Sequence, residues 1–148
     1  MKRIFHHIGL PTDQSRPGEV FIEATRVWIS DPANDPYRIE YIRFEPDSPV
    51  TGPLRDMSHV AYRIEDMDVA MEGEEDVIME PFVPRPGLTV AFVMQEGALI
   101  EFMKFEGGAT EFVNAGRNRR RVELPERALE YCGVLPGKGH VCRYGTMD

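Results

Sequence analysis

Cysteine, tryptophan and long apolar runs are all scarce in this sequence. The 148 residues include two cysteines and one tryptophan, and two cysteines are too few for the disulfide scaffold of a small secreted domain. No apolar run approaches the roughly 18 residues that a membrane-spanning helix needs. Residues 1–7 lack the apolar core of a signal peptide. The sequence therefore predicts a cytoplasmic protein with no membrane partner.

Positive charge is scarce as well. The chain has 17 Lys+Arg against 25 Asp+Glu, a formal net charge of −8, which argues against nucleic acid or an anionic membrane surface as the main partner. The acidic excess lies in residues 1–106, whereas residues 107–148 are mildly basic and contain the run Arg117–Arg121. We therefore predict a folded domain over 1–106 and a C-terminal extension over 107–148.

Alternation of apolar and polar residues predicts a mostly β domain with little helix. Seven strands are predicted, over Lys2–Leu10, Ala24–Ser30, Tyr37–Glu45, Met57–Glu65, Asp76–Glu80, Leu88–Gln95 and Ala98–Phe105. One short helix is predicted over Asp66–Glu72, with Asp66 as its N-cap and Gly73 just past its end. Three prolines between Glu80 and Gly87 predict an irregular surface loop there.

The chain contains an internal repeat. Residues 39–45 read IEYIRFE and residues 100–106 read IEFMKFE, with aromatic, aliphatic, basic and acidic positions in register. A weaker match aligns residues 5–10 with 57–62, which places His7 opposite His59. Each half therefore opens with a strand that carries a histidine and closes with a strand that carries an Ile-Glu pair. The two modules span about residues 1–50 and 56–106.

Related by a pseudo-twofold axis, these halves would bring four side chains together: His7, Glu40, His59 and Glu101. The two glutamates share strand faces with apolar side chains, where a carboxylate is costly to bury without a partner. A divalent cation bound by two imidazoles and two carboxylates would supply that partner. Nitrogen and oxygen ligands suit Zn²⁺, Ni²⁺, Co²⁺, Mn²⁺ or Fe²⁺ and do not choose among them.

The same residues resemble the vicinal oxygen chelate superfamily, which includes glyoxalase I, methylmalonyl-CoA epimerase and extradiol dioxygenases. The motifs that carry the resemblance are HHIGL at residues 6–10, SHVAYRIEDMDVA at 58–70 and GALIE at 97–101. It implies an α+β fold of paired βαβββ modules that form a curved, mostly antiparallel sheet around a central cavity, with the first-module helix reduced or missing. It also implies that His7, Glu40, His59 and Glu101 are the metal ligands.

The resemblance implies a metal-dependent isomerase or lyase of the glyoxalase or epimerase type. Glu40 or Glu101 would remove a proton next to a carbonyl polarised by the metal, in a small 2-oxo or 2-hydroxy acid or a thioester. One alternative is an Fe²⁺ dioxygenase-like enzyme, in which two histidines and one glutamate hold the iron. Another is a non-catalytic protein of the same fold that binds a small molecule such as an antibiotic.

Several further residues and features carry weaker expectations. His6 is adjacent to a predicted ligand, and we expect it on the opposite face of its strand, in ordinary packing. Glu45 and Glu106 are expected as exposed partners of basic side chains. Because strand edges of two modules invite pairing, we expect a homodimer. In the extension, we expect ordinary packing for the candidate metal ligands Cys132, His140 and Cys142, and one short helix over Leu124–Tyr131.

Overall fold

The computed structural model describes residues 1–109, together with the main chain of 134–135 and 138–139. Eight strands of residues 1–109 form one curled mixed sheet, a half-barrel with very few helices. This confirms the predicted curved sheet with reduced helices. The strands are β1 Ile4–Pro11, β2 Val20–Ile22, β3 Val27–Ile29, β4 Ile39–Phe44, β5 His59–Arg63, β6 Val77–Arg85, β7 Leu88–Gln95 and β8 Ala98–Phe105.

The order of the strands shows the repeat as a mirrored pair of modules. Across the sheet the order is β2-β3-β4-β1-β5-β8-β7-β6. Within each module the first and last strands pair in parallel, β1 with β4 and β5 with β8, and all other pairings in the sheet are antiparallel. The two modules meet where β1 and β5 pair. A pseudo-twofold axis through this seam relates the halves.

The second module carries the predicted helix on its outer face. Helix α2, Met67–Met71, begins after Asp66, whose carboxylate accepts a hydrogen bond from the Val69 main-chain nitrogen at 3.0 Å. This is the N-cap arrangement that satisfies a free helix donor. Helix α1, Pro53–Asp56, lies in the link between the modules. Apolar side chains pack between α2 and the sheet, among them Ile64, Met67, Ala70, Ala91, Val93 and Phe102.

The first module covers its outer face without an α-helix, and its one described helix is the short 3-10 helix Pro32–Asn34. Residues 12–19, which connect β1 to β2, contain no helix. Instead Arg16 lies over the Tyr41 ring, with its Cζ atom 3.5 Å from the ring centroid. Arg43 lies over Trp28 at 5.2 Å and forms an ion pair with Glu19 at 2.7 Å. A guanidinium group is attracted to the face of an aromatic ring by the ring quadrupole. These stacked pairs therefore cover the first module in the way that helix α2 covers the second.

The prolines between Glu80 and Gly87 do not produce the irregular loop that the sequence predicted. Strand β6 continues through Pro81 and Pro84 as far as Arg85. It lies at the edge of the sheet, and its pairing with β7 shifts register three times. Proline lacks a donor for the strand ladder and is tolerated on edge strands and at bulges, which is why the strand survives here. Strand β2 was not predicted, because three residues are too few to show alternation.

Little of the extension belongs to the described residues. Two short strands, β9 at Val134–Leu135 and β10 at Lys138–Gly139, form an antiparallel pair. The basic run Arg117–Arg121, the expected helix over Leu124–Tyr131 and the three candidate metal ligands of the extension all lie outside the described residues. Among the described helices, none has the length and apolar character that crossing a membrane requires.

Candidate metal centre

Two histidines meet at the seam between β1 and β5. The strand register pairs His7 with Ala61 and Gly9 with His59, so each imidazole faces a small residue on the neighbouring strand. Directly paired residues of antiparallel strands point to the same face of a sheet, and here that face is the concave one. The Nε2 atoms of the two imidazoles lie 3.2 Å apart.

The closing strand of each module adds a carboxylate to the histidine pair. Glu40 on β4 places Oε2 2.9 Å from Nε2 of His7. Glu101 on β8 places Oε2 3.4 Å from Nε2 of His7 and 3.1 Å from Nε2 of His59. The structure therefore brings all four side chains singled out in the sequence into one cluster. Both glutamates lie next to the small residue that faces an imidazole, so the cluster follows the symmetry of the sheet.

Burial and charge together shape the protonation of the cluster. Burial lowers the pKa of His7, but its hydrogen bond to Glu40 and the charges of Glu40 and Glu101 outweigh that effect, so this pKa lies above its usual 6.5. Burial raises the pKa of Glu101, but the hydrogen bond to His59 and the nearby imidazoles hold this pKa below its usual 4.5. The surroundings thus favour the anionic form of the Glu101 carboxylate and the protonated form of the His7 imidazole.

Four of the contacts among these atoms have the length expected between ligands of one divalent cation. Ligands about 2.0–2.1 Å from a metal lie about 2.9 Å apart at a right angle and about 3.4 Å apart at the tetrahedral angle. The contacts within the cluster run from 2.9 to 3.4 Å. Ligand atoms of His7, Glu40 and His59 all lie within 4.8 Å of one another. Two carboxylates would balance the charge of such a cation, so this buried group could hold a metal ion.

Gly9 provides the space that the His59 imidazole occupies. A Cβ atom at this position would lie 2.0 Å from Cε1 and 2.3 Å from Nε2 of His59, far inside van der Waals contact. The position related to it by the repeat is Ala61, which is fully buried. Gly9 was not identified from the sequence. The signal that could have found it is the small residue two positions after each repeated histidine.

His6 lies against the cluster rather than away from it. The pairing of β1 with β5 shifts between Phe5 and His7, and this β-bulge breaks the alternation of side chains. The His6 imidazole is buried, and its Nδ1 lies 2.8 Å from Nδ1 of His7. The expectation that His6 would lie on the opposite face of its strand is therefore wrong, whereas its packing is observed, because its ring stacks on Phe105. The alternation of residue types along a strand does not reveal a single extra residue, so the bulge could not be predicted from the sequence.

A mainly apolar cavity of about 270 Å³ opens from the cluster into the concave side of the sheet. Both modules and the link between them contribute to its wall, and the four clustered side chains line it as well. Arg85 is the single Lys or Arg side chain along its wall within residues 1–109. Apolar wall residues include Phe44, Met79, Phe82, Leu88, Val90 and Phe92.

Other candidate residues lie outside the cluster. Trp28 donates from Nε1 to Oε1 of Glu45 at 2.7 Å on the outer side of the first module. Glu106 forms an ion pair with Lys104 at 2.9 Å, as expected for an exposed acidic partner. Phe102 belongs to the core beneath α2. The polar cluster therefore lies on the concave face, and Trp28 and Phe102 make their contacts on the outer face.

Comparison with known proteins supports the fold and is silent on activity. No protein-family model matches the chain, and no curated protein matches it. The structure is similar to the crystal structure of a hypothetical protein from Bacillus halodurans C-125, with a TM-score of 0.52 and 18% sequence identity. The match covers 75% of this chain and 100% of that chain. The shared curled half-barrel is compatible with a vicinal oxygen chelate fold.

Proposed function

We propose that this chain is a metal-dependent enzyme that removes a proton next to a carbonyl group of a small substrate. The observation that carries the proposal is the cluster of two imidazoles and two carboxylates, with contacts of 2.9–3.4 Å, in the wall of a mainly apolar cavity. A bound divalent cation supplies Lewis acidity, which stabilises negative charge on a substrate oxygen. Zn²⁺, Ni²⁺, Co²⁺, Mn²⁺ and Fe²⁺ all accept this donor set.

The contacts favour different roles for the two carboxylates. Glu101 contacts both imidazoles, and its side chain is 9% exposed. Glu40 contacts only His7 within the cluster, and its side chain is 16% exposed on the cavity side. We assign Glu101 with the two histidines to holding the cation and Glu40 to taking the substrate proton as general base. Removal of that proton would lead to isomerisation, epimerisation or lyase chemistry.

The cavity favours a substrate with a compact and largely apolar portion that enters it. Its volume of about 270 Å³ and its aliphatic and aromatic wall suit a 2-oxo or 2-hydroxy acid with an apolar side chain. In a thioester only the acyl portion would fit inside, because burying a charged carrier against apolar walls is costly.

Deuterium exchange tests proton removal even while the product of the reaction is unidentified. The protein is first analysed for bound metal, then incubated in D₂O with 2-oxo acids, hemithioacetals or acyl-CoA thioesters, and exchange at the carbon next to the carbonyl is followed by NMR. We expect metal-dependent exchange for one of these classes. Glu40→Gln should abolish exchange with metal still bound, whereas Glu106→Gln, which removes an exposed carboxylate, should change neither. Exchange that survives in metal-free protein would contradict the proposal.

A second candidate function is that of an Fe²⁺ dioxygenase-like enzyme. It is favoured by the contacts of Glu101 with both His7 and His59, because two histidines and one carboxylate on one face form the ligand set of non-haem iron oxygenases and Glu40 would then not coordinate. Oxygen consumption that requires Fe²⁺ and a catechol, without exchange into D₂O, would identify it. A protein that takes up no metal but binds apolar small molecules would instead be a binding module.

The homodimer stays a prediction. The outer strands of the sheet are β2 and β6. One has three residues and the other carries prolines and register shifts, which are features that protect sheet edges from pairing. We therefore propose that a dimer would use another surface. Light scattering on the full chain measures its mass in solution.

A further inference from the structure

We propose that His6 is a positioning residue for the metal centre, which holds His7 in the tautomer that leaves Nε2 able to bind a cation. The inference rests on the proposed metal site but not on the proposed reaction. It concerns a contact between two adjacent residues of β1 that regular strand geometry would place on opposite faces.

Contacts with His7, Phe105 and Arg38 help to hold the His6 residue in place. Its Nδ1 atom lies 2.8 Å from Nδ1 of His7. Its ring stacks on Phe105, with centroids 5.6 Å apart and planes inclined by 27°. Its main-chain oxygen accepts a hydrogen bond from Nε of Arg38 at 2.6 Å. Because both imidazoles are almost fully buried, water does not compete effectively for the contact between them.

Binding of a cation at Nε2 of His7 also fixes the direction of the hydrogen bond between His7 and His6. A neutral imidazole has one N–H donor and one acceptor nitrogen. The Nε2 atom of His7 faces the carboxylates and His59, so binding a cation there requires the proton on Nδ1. That proton points at Nδ1 of His6, which must then accept it in a hydrogen bond.

An imidazole suits this position for a reason of charge. Metal-binding histidines usually donate their second N–H to a carboxylate, a main-chain carbonyl or water. A carboxylate here would add a third negative charge to a buried site that already holds Glu40 and Glu101. Neutral His6 orients His7 without that charge, so the ligand set stays balanced against a divalent cation.

Zinc titration of two variants of the full chain tests the role of His6. His6→Phe keeps an aromatic ring against Phe105 but removes the acceptor, and His6→Asn supplies an acceptor oxygen near the position of Nδ1. We expect His6→Phe to weaken zinc binding on the order of 10–100-fold and His6→Asn to recover most of that loss. In the zinc-bound wild type, the ¹⁵N NMR shift of His7 Nδ1 should be that of a protonated nitrogen.

The outcomes separate this inference from the proposed function. Zinc binding by His6→Phe that equals wild type, equal losses in both variants, or a deprotonated His7 Nδ1 in the zinc form would overturn the role of His6 and leave the metal site intact. A wild-type chain that binds no zinc, cobalt, nickel, manganese or ferrous ion would overturn the metal site itself. Thermal unfolding of the metal-free variants shows whether a loss of affinity reflects loss of the fold.

Discussion

Replacing Gly9 with alanine is the most direct test of how the strand backbone shapes the metal centre. The added Cβ would lie 2.0 Å from Cε1 of His59, and ordinary contact begins near 3.4 Å. The imidazole must therefore retreat by about 1.4 Å, several times the ~0.2 Å that metal coordination tolerates. We expect Gly9→Ala to weaken zinc binding by at least about 100-fold, because changes beyond the ligands alone cost 10–100-fold. The value should approach that of His59→Ala, measured by competition titration with a zinc chelator.

A double-mutant cycle on metal-free protein separates this clash from a general effect of alanine. Gly9 does not have a positive φ, and alanine in the middle of a strand is favoured over glycine by about 0.5–1 kcal/mol. In the His59→Ala background, where the ring is gone, Gly9→Ala should therefore raise the free energy of unfolding by about that amount. With His59 present, overpacking should lower it by about 1–3 kcal/mol. Urea unfolding of the four proteins gives both values. The same sign in both backgrounds, or zinc binding unchanged in Gly9→Ala, would refute the reasoning.

Further predictions concern pH, the core and the helix cap. Without metal, the stabilisation that His7 contributes is fully present below pH 6.5 and is lost as the pH rises through the raised pKa of His7. The stabilisation that Glu101 contributes is fully present above pH 4.5 and is lost as the pH falls through the lowered pKa of Glu101. The thermal unfolding temperature of the metal-free chain should thus be highest between pH 4.5 and pH 6.5. An unfolding temperature that rises steadily up to pH 9 would contradict this prediction. Phe102→Ala should lower the free energy of unfolding by about 3–5 kcal/mol in urea, whereas exposed Tyr37→Ala should leave it nearly unchanged. Asp66→Ala should cost about 1 kcal/mol and Asp66→Asn less, since it keeps an acceptor for the helix.

The sequence predicted a strand correctly wherever the alternation of apolar and polar residues agreed with the positions of turn-forming residues. The bounds of β7 and β8 matched the prediction because both strands alternate without interruption and meet at the Glu96-Gly97 turn. The extra length of β6 was missed because proline is penalised by default, and the penalty does not apply where a strand has a free edge. Whether a strand lies at an edge depends on the order of all the strands in the sheet, so the sequence of β6 alone does not reveal it.

The residues of the candidate site also fall into two groups, those that the sequence predicted and those that depend on the assembled sheet. The four clustered side chains were found because the repeat preserves their positions, so a twofold relation could be read from spacing alone. His6 and Gly9 were not found, since one depends on a bulge in the β1–β5 pairing and the other on a close approach between neighbouring strands. Both are features of register and strand distance, which appear only when the two modules are joined.

The contrast between the two faces of the sheet explains how one module can lack an α-helix and the site can still be symmetric. The positions of the four clustered side chains depend on strand register at the seam, whereas the outer cover of each module packs on side chains that point the other way. Helix α2 and the stack of Arg16 on Tyr41 are therefore exchangeable solutions to one packing problem. It follows that Arg16→Ala should lower the thermal unfolding temperature of the metal-free chain and leave zinc affinity unchanged. A parallel loss of affinity would show that the outer cover of the first module also sets the register at the seam.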